Sequence, residues 1–170
     1  MSNVVELFRT KRLAFRTHEA RDEAPFVAMH TDDEVRRFAG GAAWSPAKAR
    51  ERFLTQYLGK PSELYGLWAA VLIESGKYIG MCGITQAEGD AHLAYYLARQ
   101  YWRKGLATEA AQAFVALAKD RLALDELYAD VETGHAASEH ILRKLGFTWI
   151  GHTFIEASGR DISRYRLALH

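Results

Sequence analysis

Polar and apolar residues alternate over Arg12-Leu13-Ala14-Phe15-Arg16, a period of two that predicts a β-strand. Over residues 20–29 the period changes, and Ala24, Val27 and Ala28 recur at helical spacing. A second short helix is predicted over 32–38, before Gly40-Gly41 breaks the chain. Ser45-Pro46 starts another helix, predicted to run to Leu58. Serine can accept a bond from the first turn, and proline fits the first helical position because its missing N–H would be unpaired there anyway. Two apolar runs, 67–73 and 78–84, flank the polar turn Glu74-Ser75-Gly76-Lys77 and predict a hairpin. A third strand, 92–97, follows the turn Glu88-Gly89-Asp90, and its two tyrosines favour a half-buried pleated surface. The strongest helical signal spans 106–122, where Ala107, Ala110, Ala111, Phe114, Leu117 and Ala118 form one stripe. A strand over 127–131 comes next, then a helix over 136–145 that Gly146 ends and Phe147 packs against. The last two strands, 148–154 and 162–169, are joined by Ser158-Gly159-Arg160.

The predicted order is one strand, two or three helices, three strands, helix, strand, helix, two strands. It places the chain in the α/β (α+β) class. Strand–helix–strand between Tyr96 and Val131 requires a locally parallel pair with a helix on one sheet face.

At 170 residues the chain has the size of one domain, and no repeat or linker divides 1–170. Apolar residues at 49% and charged residues at 25% exclude a disordered, collagen-like or coiled-coil chain. No apolar run approaches the roughly 20 residues of a membrane span. The opening Met1-Ser2-Asn3-Val4-Val5-Glu6 lacks the basic-then-apolar pattern of a secretory signal. Basic and acidic side chains number 22 and 21, so charge gives no argument for nucleic acid or membrane as a partner. The one cysteine, Cys82, cannot close an internal disulfide and fits a reducing cytoplasm. It lies in an apolar strand and reads as a small core residue. The seven histidines form no cluster with cysteine or paired carboxylates, so no metal site is expected.

The chemistry concentrates in 95–110, where a strand ends, a short loop follows and a helix opens with Gly105 and Ala107. The first N–H groups of a helix have no partner within it and sit at the positive end of its dipole. Small residues let an anion reach them, and Arg103 and Lys104 add positive charge, so the segment reads as a pyrophosphate cradle. A plain strand–helix connection with two solvated basic residues is the alternative. Neither Gly-x-Gly-x-x-Gly nor Gly-x-x-x-x-Gly-Lys-Ser/Thr is present, so dinucleotide and NTP-binding loops are unsupported.

Trp102-Arg103-Lys104-Gly105-Leu106-Ala107-Thr108-Glu109-Ala110 resembles the acyl-CoA signature of the GNAT superfamily of N-acyltransferases. Three more segments resemble its branch that acetylates ribosomal-protein N-termini. They are Thr10-Lys11-Arg12-Leu13-Ala14-Phe15-Arg16, Ser75-Gly76-Lys77-Tyr78-Ile79-Gly80 and the helix from Ala137 and Ser138 through Lys144-Leu145-Gly146-Phe147. The match is collinear over nearly the whole chain. The resemblance implies a twisted, mostly antiparallel sheet that splays at a parallel pair to admit acetyl-CoA. It implies acetyl transfer to a primary amine, a protein N-terminus or a small molecule; an acyl-CoA-binding module without activity is the rival from another class. A homodimer is compatible with it. The implied CoA contacts are Tyr96, Leu97, Trp102, Arg103, Lys104, Gly105, Leu106, Ala107, Thr108, His135, Ser138 and Lys144.

Two positions depart from the family pattern. His135 stands where an asparagine usually bonds the pantetheine arm, and His92 where an acidic residue is frequent. Histidine titrates near working pH when unperturbed, so His92 is the candidate base for the amine, against a half-exposed strand residue with no role. Ser138 matches the position that protonates the CoA thiolate; the alternative is a first-turn serine bonding local backbone. Tyr95 and Tyr96 are alternative acids on opposite strand faces, and packing is the simpler reading of both. Trp44, Trp68 and Trp149 are expected to pack or to wall the acceptor pocket.

Overall fold

Every segment with a period of two becomes a strand of one sheet. The computed structural model describes residues 3–170; Met1 and Ser2, where the reading of the N-terminal segment begins, lie outside them. Its strands are β1 (Glu6–Arg9), β2 (Leu13–Arg16), β3 (Gly66–Leu72), β4 (Tyr78–Ala87), β5 (Asp90–Leu97), β6 (Glu126–Glu132), β7 (Thr148–Ile155) and β8 (Arg160–Ala168). They lie in the order β1-β2-β3-β4-β5-β6-β8-β7. All neighbours are antiparallel except β5 and β6, which run parallel with a crossover helix between them. The helices are α1 (Glu23–His30), α2 (Asp33–Arg36), α3 (Pro46–Arg52), α4 (Leu106–Asp120) and α5 (Ala136–Lys144). None is long and apolar enough to cross a membrane.

Strand β1 is not predicted by the hydrophobic pattern. Four residues with Leu7 and Phe8 adjacent between charged ends show no alternation, and the strand pairs with β2 through an irregular register. The helix from Ser45 starts as predicted, with Ser45 Oγ accepting from Lys48 N at 3.1 Å. Its α-helical part ends at Arg52, and a π-turn over Phe53–Tyr57 completes the predicted span.

Two apolar clusters sandwich the sheet. Beneath α4 and α5, Phe8, Phe15 and Phe114 meet at centroid distances of 5.0 to 5.2 Å, beside buried Trp68, Ile79 and Cys82. Beneath α1–α3, Phe26, Met29, Val35 and Phe53 pack on Tyr78 and Met81. Trp68 packs as expected and Trp44 joins the second cluster. Trp149 does not pack: β7 is an edge strand, and this indole is 52% exposed.

One buried group makes stability depend on pH. His30 is 1% exposed, neither ring nitrogen has a hydrogen-bond partner among the described residues, and the ring stacks on Trp44 at 4.5 Å. Burial, helped by the charge of Arg36, pushes it from 6.5 down to about 3. The unfolded chain therefore takes up a proton below pH 6.5 that the fold refuses. His30 costs nothing above that pH and destabilises the fold progressively as pH falls towards 3, at up to about 1.4 kcal/mol per unit. Urea titrations should show this decline, and His30→Leu should remove its share. A residual slope of the same sign should remain from His18 and His135, which burial also pushes down.

Candidate active site

The parallel pairing of β5 with β6 is confined to His92 opposite Tyr128. Beyond it the strands part, as the resemblance implied, and open a cleft of about 540 Å³. Residues 93–97 of β5 and 129–131 of β6 form its flanks, the turn into α4 one end, and the first turns of α5 the other. Residues 34, 35, 38 and 39, in and just after α2, cover it.

At the α4 end, Gly105 takes the N-cap position with φ +76°, a left-handed conformation that disfavours residues with a Cβ. Among the described residues no side chain caps the helix, so the amides of Leu106, Ala107 and Thr108 are open. Gly105 and these three residues line the cleft together with Arg103. Trp102 donates from Nε1 to Leu97 O at 2.8 Å, which ties this loop to the end of β5. The Lys104 ammonium lies 5.8 Å from the ring centre of Tyr101, itself a cleft-lining residue, and its carbonyl accepts from Arg12 Nη1 at 2.8 Å. Arg12 is also held by Glu109, Nε to Oε2 at 2.6 Å, while Glu109 Oε1 accepts from Thr10 Oγ1 and Arg12 N at 2.7 and 2.8 Å. Two of the segments that resemble family motifs thus meet in space, and the turn before β2 fixes the pitch of the α4 N-terminus.

At the α5 end, Ser138 is buried on the first turn. Its Oγ lies 2.8 Å from the Tyr95 phenol, and either oxygen can be the donor. Burial pushes the phenol up to about 12, against the pull of the Ser138 bond, so Tyr95 keeps its proton at neutral pH. Packing is the simpler expectation for Tyr95 from sequence: alternation puts Tyr95 and Tyr96 on opposite faces, but only the fold shows which face a helix 43 residues away covers. His135 caps no amide through its side chain. Its ring stacks on Phe38 at 4.3 Å and 3°, so it walls the cleft. Burial favours its neutral form. Lys144, on the last turn of α5, lies away from the cleft wall.

His92 is buried beside the point where the strands part, rather than in the cleft wall. Its Nδ1 stands 3.5 Å from Asp130 Oδ2. Asp130 itself lines the cleft and is forked by Arg164 at 2.8 and 3.0 Å. Nothing in the sequence pattern singled out Asp130; its place is set by the strand order. Among the described residues no group of three His, Cys, Asp or Glu side chains could hold a metal.

Residues 12–148 match the family model of the acetyltransferase (GNAT) domain. The chain belongs to the GNAT acetyltransferases. It is 29% identical to the uncharacterised N-acetyltransferase p20 of Bacillus licheniformis, over 97% of this chain and 96% of that protein. A GNAT-family acetyltransferase from Bacillus anthracis shares the fold with a TM-score of 0.84, at 19% identity over 96% of this chain and 98% of the other. Spermidine N-acetyltransferase from Vibrio cholerae, solved with CoA and spermine, gives 0.76 at 15% identity, covering 94% and 97% of the two chains. Ribosomal-protein-S5-alanine acetyltransferase from Vibrio fischeri gives 0.72 at 17% identity, covering 97% of each.

In this GNAT chain the cleft joins the open amides of the α4 N-terminus and Arg103 to the Tyr95–Ser138 hydroxyl pair. The Glu109 clamp makes the turn into α4 sensitive to acid. Burial alone would raise this carboxyl, but the bonds from Thr10 and Arg12 outweigh it and hold it below 4.5. The clamp's contribution is full above pH 4.5 and is lost as pH falls through the lowered folded value. Glu109→Gln should cost about 1–2 kcal/mol at pH 7 and less below pH 4, as chemical denaturation would show.

Proposed function

We propose that this protein transfers the acetyl group of acetyl-CoA directly to a primary amine. One observation carries the reading: the cleft has a ready anion cradle at one end and a buried Tyr95–Ser138 hydroxyl pair at the other. Gly105, Leu106, Ala107, Thr108 and Arg103 would hold the pyrophosphate, with Tyr96, Leu97 and His135 along the arm. Acetyl-CoA supplies the activated thioester. The chain's main contribution is position, since holding two reactants together is worth about 7–11 kcal/mol. Ser138 Oγ, backed by Tyr95, gives a proton to the departing sulfur. His92, oriented by Asp130, takes the proton of the incoming amine. The buried Cys82 fits a reducing compartment, and we place the reaction in the cytoplasm.

The structural neighbours acting on spermidine and on a ribosomal protein both modify amines. The motif resemblance admits a protein N-terminus as well as a small amine; an N-terminal amine is partly neutral near pH 7, unlike a lysine. The test is release of CoA from acetyl-CoA with a panel of amines, including N-terminal peptides. Release dependent on amine supports transfer; CoA binding without turnover of any amine would assign a binding module instead. His92→Gln tests the base. With one acceptor, the variant should lose the low-pH limb of the wild-type rate profile and show a lower plateau. Coincident profiles would return His92 to a structural role and leave deprotonation to water.

A further inference from the structure

Arg36 is 8% exposed, at the end of the short α2 whose neighbours cover the cleft. Burying a guanidinium is expensive unless a carboxylate or several acceptors compensate it. The chain meets that need elsewhere: buried Arg16 is forked by Asp22 at 2.7 and 3.0 Å. Arg36 has no such partner among the described residues. Its Nε has no hydrogen bond among the described residues, and the ionisable groups that it interacts with there, Tyr96, Tyr57, Arg160 and His30, include no carboxylate. Its guanidinium lies 4.4 Å from the centre of the Trp44 ring, which attracts a cation but offers no acceptor oxygen.

A second guanidinium reaches the same place. A Cβ built on Gly40 would stand 3.2 Å from Arg36 Nη2 and 3.8 Å from Arg160 Nη1. Arg160 is loosely held: its Nε is 3.5 Å from Glu132 Oε2, and neither atom makes a hydrogen bond. Tyr96 joins this corner to the cleft, since its phenol feels both arginines while it also lines the gap between β5 and β6. It shares a face of β5 with His92 and Ala94.

We infer that the acceptor is a small amine carrying an anionic group, a carboxylate or a phosphate, seated between Arg36 and Arg160. The inference rests on the acetyl-transfer reading and names the acceptor's chemical class. A bound anion would supply the acceptor oxygens that Arg36 lacks and loosen the Arg160–Glu132 contact. Its amine would be directed past Tyr96 towards the parting strands. A polyamine would bring further positive charge against two guanidinium groups and is excluded on the same ground.

The test is CoA release with matched acceptors at equal amine concentration. The pairs are 4-aminobutanoate and glutamate against their amides, and phosphoethanolamine against ethanolamine, with spermidine added. The anionic member should lead in kcat/KM by about 10- to 100-fold, the worth of a charged hydrogen bond. Whether carboxylates or phosphoethanolamine lead identifies the source of the anion. Arg36→Gln should bring the ratio towards one, and Arg160→Gln should reduce it. The ratio in the unaltered protein decides the question even if a variant fails to fold. Turnover in which amides, ethanolamine or spermidine do as well as the anions overturns this inference and leaves acetyl transfer standing. Absence of turnover with these amines and with the N-terminal peptides alike overturns both.

Discussion

Ser138→Ala is expected to lower kcat by roughly 10²–10⁴-fold, the usual worth of one positioned acid, with little change in CoA affinity. The asymmetry follows from when the hydroxyl matters. The sulfur of a thioester is a poor acceptor, and the bond gains strength as charge develops on it, so its loss falls on the transition state. The Tyr95–Ser138 contact sharpens the expectation. If Ser138 delivers the proton and Tyr95 replaces it, Tyr95→Phe lowers kcat and the double variant is scarcely worse than Ser138→Ala. If Tyr95 delivers it directly, Tyr95→Phe carries the larger loss. The measurement is single-turnover rate, where chemistry and not product release is observed, beside calorimetric CoA affinity. An unchanged rate in Ser138→Ala would make the serine a structural link between β5 and α5.

The strand, turn and helix that form the proposed cradle were legible because each is set locally. A strand end, a tight turn and a helix start follow one another over 95–110, and each depends on neighbours a few residues away. The acceptor side was not. Arg36 lies in a predicted short helix with nothing to single it out; tertiary packing against Trp44 buries it. Asp130 sits in a plain strand, and it meets His92 only because β5 and β6 become parallel neighbours. Arg160 lies in a turn that looked merely polar, yet it opens β8 and faces Glu132. The β1 strand was missed for the same reason, since its pairing with β2 and the packing of Phe8 on Phe114 decide its conformation. The proposed donor site is written in short segments, whereas the proposed acceptor seat draws on side chains 36, 96, 130 and 160, which only the fold assembles.

The cradle itself allows the other large effect. Gly105→Glu should weaken CoA binding by roughly 100-fold or more, the sum of a few amide bonds at about 0.5–1.5 kcal/mol each and added repulsion. Two causes act together. At φ +76° a residue with a Cβ is strained by about 1–2 kcal/mol, which tilts the first turn of α4 and misdirects its amides. The new carboxylate then stands beside the open amides of Leu106, Ala107 and Thr108, where it occupies the positive end of the helix in place of a ligand. A Cβ at Gly105 also comes within 3.3 Å of Arg12 Nη2, so the added acid competes with Glu109 for that guanidinium. Gly105→Ala carries the strain without the charge and should lose less. Calorimetry with CoA and with acetyl-pantetheine, which lacks the pyrophosphate, separates the effects. Gly105→Glu should depress CoA affinity and leave that of acetyl-pantetheine nearly as it was. Equal CoA affinity in the wild type and in a variant whose thermal unfolding is intact would remove the pyrophosphate from this end of the cleft. The anion seat would then have to be sought elsewhere along the splay.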